Sequence, residues 1–83
     1  MSERKHYMTL CFRDNTEVTH IEREGKIEVT FEQAIKGGFK TLVMDVDANV
    51  LSNDGFNDAD VALFQDFTLR NKPGIVAESR GEI

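Results

Sequence analysis

The sequence predicts an α+β domain: a mainly antiparallel sheet of about five strands, with one short helix and one longer helix at about 57–71, both packed on one face. Three observations predict it. The first half alternates short β-forming runs with turn signals, Phe39 to Val46 is a nearly continuous apolar run, and Val61, Phe64, Phe67 and Thr68 recur at helical spacing behind Asn57-Asp58.

Tyr7 to Arg13 is the first strand, and Asp14-Asn15-Thr16 supplies turn chemistry before the second, Glu17 to Glu22. A three-residue loop there places Arg13 opposite Glu17, Phe12 opposite Val18, Cys11 opposite Thr19 and Leu10 opposite His20. Arg23-Glu24-Gly25 reads as a second three-residue loop, with Ile21 facing Ile27 and Glu22 facing Lys26. Ile27, Val29 and Phe31 continue the alternation. Thr30 followed by Gln33 is a capping signal, and it predicts a short helix at 31–36 ended by Gly37-Gly38.

Phe39 to Val46 has the pattern of a central strand buried on both faces. Asp45 to Asn49 offers a tight turn before a strand at Val50-Leu51-Ser52, and Asn57 or Asp58 caps the longer helix. Pro73-Gly74 stops that helix, and Ile75-Val76-Ala77 is expected to add a short edge strand. No linker divides the chain, so residues 1–83 form one domain with frayed tails at 1–5 and 79–83.

The formal charge of −5 is uneven: residues 1–44 hold seven acids and seven bases, residues 45–83 eight acids and three bases. An acidic second half repels phosphate, which argues against nucleic acid and for a basic protein partner. Cys11 is the only cysteine, so neither an intrachain disulfide nor a multi-cysteine zinc site is available, and a reducing compartment fits. No apolar run matches a signal peptide or a membrane span, so the expectation is a soluble, cytoplasmic protein without membrane contact.

The segment from Asp45 to Asp60 holds five of the seven aspartates, together with Asn49, Asn53 and Asn57. Asp45, Asp47 and Asn49 reproduce the opening of an EF-hand loop, but the sixth position is Val50 in place of glycine and the twelfth is Phe56 in place of glutamate. Leu42 to Asn49 resembles the first motif of haloacid-dehalogenase-type phosphatases, an apolar strand ending in Asp-x-Asp. In that family a sheet of well over 100 residues brings further catalytic groups to the pair, and the expected Gly-Thr is Ala48-Asn49 here, so the family is not carried over. The simpler reading makes Asp45 to Asn49 a hairpin turn and Asn53 to Asp58 a loop and helix cap.

A thiol nucleophile at Cys11 would need His6 or His20 as its base. Strand parity sends His20 to the other face, and a buried structural cysteine is the expectation. Gly37-Gly38 follows a helical pattern instead of preceding one, which removes a phosphate loop. No catalytic, cofactor-binding or metal residue is assigned.

One pattern points to association. Met8, Leu10 and Phe12 alternate with Tyr7 and Cys11, and Ile21 lies across the hairpin, so the first two strands carry apolar residues on both faces. Two helices on one face leave the other uncovered. The expectation is a non-enzymatic interaction module that self-associates as a homodimer through its sheet, the acidic half being available to a basic protein; the alternative is a divalent-cation-dependent ligand binder or hydrolase using Asp45 and Asp47.

Overall fold

The computed structural model describes residues 4–10 and 15–81. Five strands form one antiparallel meander in the order β1-β2-β3-β4-β5: β1 (Lys5–Leu10), β2 (Thr16–Arg23), β3 (Lys26–Ile35), β4 (Gly38–Asp45) and β5 (Val50–Asp54). One helix, α1 (Asp58–Ser79), crosses a single face of the sheet. The α+β class holds, with one helix among the described residues in place of two.

Residues 31–36 are strand, not helix. Thr30 and Phe31 pair with Thr19 and Val18 of β2 on one side and with Val43 and Leu42 of β4 on the other. An isolated helical turn would have to nucleate against the loss of both ladders. Lys36 and Gly37 instead close a two-residue hairpin between Ile35 and Gly38, with Gly37 at φ 88°.

Both earlier hairpins adopt different registers from those the sequence implies. Arg23 pairs with Lys26, Glu22 with Ile27 and Ile21 with Glu28, because Glu24 and Gly25 both take positive φ, 52° and 79°, and close a two-residue turn. In the first hairpin Met8 opposes Val18 and Leu10 opposes Thr16. The expected pairings of Cys11, Phe12 and Arg13 fall on residues 11–14, outside those described, but Thr19 opposes His6 and His20 opposes Lys5.

Alternation along the strands puts Val18, His20, Ile27, Val29, Phe31, Leu42 and Met44 on the helix side, all buried. Phe31 stacks on Phe64 of α1 at 4.6 Å between ring centroids, and Phe67 and Phe56 meet this pair edge-on. β4 is buried on this face only: Val43 is half-buried on the other side and Phe39 is 62% exposed at the strand's start. That overturns the expectation of a doubly covered central strand.

Asn57 caps α1, its Oδ1 accepting from Asp60 N–H at 2.8 Å, and Asp58 and Asp60 lie in the first turn, where the helix dipole favours negative charge. The helix continues through Pro73 to Ser79, so residues 75–77 are helix and not an edge strand. Pro73 sacrifices one backbone hydrogen bond on an exposed side. Beyond it Ile75 is fully buried and Val76 packs against the core, burial that offsets the lost bond. Lys5 and Ser79, assigned to the tails by sequence, thus belong to regular elements. No described helix is long and apolar enough to cross a membrane.

Candidate functional site

Asp45 ends β4 and organises the turn that follows. Its Oδ1 accepts from the N–H groups of Asp47 and Asn49, each at 2.9 Å, and its Oδ2 accepts from the Asn49 side-chain amide at 3.0 Å. The turn closes with Asp45 N–H donating to Asn49 O and Ala48 N–H donating to Asp45 O. Partial burial, the largest single influence on Asp45, pushes its carboxyl up. The hydrogen bonds from Asn49 and Asp47, together with the Lys26 charge, outweigh it and hold the carboxyl below its ordinary value. Asp47 turns away and pairs with Lys72 of α1. The two carboxylates are therefore engaged by different partners, and among the described residues no group of three His, Cys, Asp or Glu side chains is placed to hold a metal ion.

Beside this turn an open cleft of about 390 Å³ separates the β2–β3 and β4–β5 turns from the end of α1. Its apolar lining is Ile27, Val46 and Val76, while Lys26, Lys72 and Arg80 join the two aspartates around it. Lys72 is already neutralised by Asp47, and Asp45 is committed to its own loop.

His20, only 1% exposed, has Nε2 2.8 Å from Glu78 Oε1, and its Nδ1 has no partner among the described residues. Lys5, opposite His20 in register, donates from Nζ to the Glu78 carbonyl. Tyr7 packs edge-on against His20 and Phe67 and donates to Asn71 Oδ1. These contacts fasten the last turns of α1 to β1 and β2. His20 is thus committed to the helix, His6 lies beside Thr9, and Cys11 falls outside the described residues.

The face opposite α1 differs from the expectation. A bulge between His6 and Met8 brings Tyr7 to the helix side, and Ile21 is left among polar neighbours. Across this open face run cross-strand rows: Thr9, Glu17, Glu32, Thr41 and Asp54; then His6, Thr19, Thr30, Val43 and Ser52; then Ile21, Glu28 and Asp45; and last Arg23 and Lys26, while Ala34 and the exposed Phe39 flank the first row on its other side. Glu17 stands directly opposite Glu32, and Arg23 directly opposite Lys26. Like charges in opposed positions destabilise a ladder. None of these four, nor Glu28, forms an ion pair among the described residues. Arg4 lies over the second row, donating from Nη1 to Thr30 Oγ1 at 2.9 Å and to Thr19 Oγ1 at 3.2 Å, and Thr30 is only 6% exposed.

Both sheet edges are less inviting than this face. β1 is bulged at Tyr7, and β5 is bulged between Val50 and Ser52 and ends in Asp54, devices that discourage strand addition even though Leu51 is 54% exposed. The opposed charges could not be read before the register was known, since the three-residue loop separates Arg23 from Lys26. Searches against protein-family models, curated proteins and solved structures find no match to the chain.

Proposed function

We propose that the chain is a small, non-enzymatic protein-interaction module that self-associates as a homodimer through the sheet face opposite α1. The observation that carries this reading is the two like-charged couples, Glu17 with Glu32 and Arg23 with Lys26, on a face that no element among the described residues covers. Each couple costs stability in an isolated subunit, and a facing surface of opposite sign would recover it. The surface is mainly one of hydroxyls and charge, with Ile21, Val43 and the exposed Phe39 as apolar members, in place of the apolar one the sequence implies. Sedimentation equilibrium across micromolar concentrations tests the reading: a dimer mass supports it, and a monomer throughout removes it.

The seat of Arg4 on Thr19 and Thr30 favours a second reading, in which an arginine-bearing segment of a basic protein takes the same face. The cation-dependent alternative at Asp45 and Asp47 draws less support, because a cation would have to displace three hydrogen bonds from Asp45 and the Lys72 ion pair from Asp47. Thermal melts with millimolar calcium, magnesium or manganese address it, since a bound ion raises Tm and an Asp45→Asn/Asp47→Asn variant would abolish that rise.

A further inference from the structure

Along β2 and β3 the open face is polar in the directional sense, with negative charge at one end and positive charge at the other. Glu17 and Glu32 form its first row, Thr19 and Thr30 the second, Ile21 and Glu28 the third, Arg23 and Lys26 the fourth. At about 3.4 Å per residue the carboxylate row and the cationic row lie roughly 20 Å apart. The midpoint falls between the second and third rows.

Resting on the reading of this face as a self-association surface, the geometry points to one packing. Two copies meet face to face, with β2 and β3 antiparallel to their counterparts, about a twofold axis that lies across the strands between the Thr19–Thr30 and Ile21–Glu28 rows. This operation sets Glu17 over Arg23 of the second copy and Glu32 over Lys26 of the second copy, and the symmetry repeats both contacts. It also brings Glu28 over the row on which Arg4 of the second copy is seated, so the guanidinium held by Thr19 and Thr30 meets a carboxylate. The Glu17–Glu32 and Arg23–Lys26 rows of one subunit then face rows of opposite sign, while Asp45, which opposes Glu28 in the third row, faces Val43 of the second copy. The other face-to-face twofold, with its axis along the strands, stacks carboxylates on carboxylates and cations on cations. Long Glu, Arg and Lys side chains tolerate the roughly 30° rotation at which twisted sheets stack. A second copy is the occupant whose charge pattern the face itself dictates.

Charge reversal tests the packing while keeping a like-charged couple at each ladder position, and Lys26→Glu in addition removes the cation that acts on Asp45. Glu17→Lys/Glu32→Lys makes both ends of the face positive, and Arg23→Glu/Lys26→Glu makes both negative. Each variant alone is expected to dimerise at least about tenfold more weakly than wild type, since like-charge juxtaposition across an interface costs several kcal/mol. Their equimolar mixture should form a one-to-one heterodimer, and the chain carrying all four changes should dimerise as wild type does. Circular dichroism melts of the variants monitor the fold. If both double variants keep the wild-type dissociation constant, or their mixture fails to associate, this packing is wrong while self-association stands. If wild type itself sediments as a monomer throughout, the underlying reading fails as well.

Discussion

Glu17 and Glu32 stand opposite each other on adjacent antiparallel strands, on the side of the sheet away from α1, with no cation paired to either among the described residues. Six residues along β2, Arg23 opposes Lys26 in the same manner. An isolated subunit bears the repulsion within both couples, offset at Lys26 by its attraction to Asp45.

The cost is measurable in the subunit alone. Replacing one member, as in Glu17→Gln, removes the cross-strand repulsion and should raise the unfolding free energy by about 0.2–1 kcal/mol at concentrations where the chain is monomeric. The same change should weaken the dimer. Urea unfolding at low concentration, paired with sedimentation at high concentration, reads the two opposite effects.

The β2–β3 turn holds Glu24 at φ 52° beside Gly25 at φ 79°. Glutamate has no local side-chain bond to favour that conformation, whereas Asn-Gly is the preferred pair for a turn with two positive φ values. Glu24→Asn should therefore stabilise the chain by about 0.5–1 kcal/mol, read as an increased urea midpoint with an unchanged m-value.

This turn shows where the fold stops being legible in sequence. The Asp45–Asn49 turn, the Asn57 cap and the Phe64, Phe67 and Thr68 stripe are local chemistry, and the structure places them where the sequence does. Register is less local. Reading Arg23-Glu24-Gly25 as a three-residue loop shifts the pairing by one position and puts Ile21 and Ile27 on one face, whereas Glu24 in the left-handed region puts them on opposite faces. The opposed couples become visible only in the true register. Thr30 and Gln33 mimic a helix cap because cap chemistry ignores the two ladders that claim β3, and Pro73 ends the helix in sequence because the burial of Ile75 is a tertiary term. The cation reading of Asp45 and Asp47 rested on spacing alone, and the structure sends the two carboxylates to different partners.

Asp45 should make its contribution pH-dependent. Its carboxyl is held below the ordinary value in the folded chain, so the stability it supplies is fully present above the unfolded value of about 3.9 and is lost as pH falls through the depressed folded value. Asp45→Ala should cost about 1–2 kcal/mol at neutral pH, where three hydrogen bonds to the turn are lost, less the solvent screening at this partly exposed site. The difference from wild type should shrink on acidification. Urea titrations of both proteins at pH 7 and at progressively lower pH follow it.

His20 and Glu78 tie the last turns of α1 to the sheet. Glu78→Ala leaves both ring nitrogens of a buried imidazole without a protein partner, at a cost of about 1–3 kcal/mol. The loss should be local: hydrogen exchange is expected to accelerate at residues beyond Pro73 before it does around Phe64.

The most direct measurement is a series of backbone amide NMR spectra recorded from high to low micromolar concentration. The account predicts shifts on dilution centred on Glu17, Thr19, Ile21, Arg23, Glu28 and Glu32, with the outward side of α1, around Asp66 and Arg70, unchanged. Spectra that do not change with concentration, or changes confined to β5 or to the helix, would contradict it.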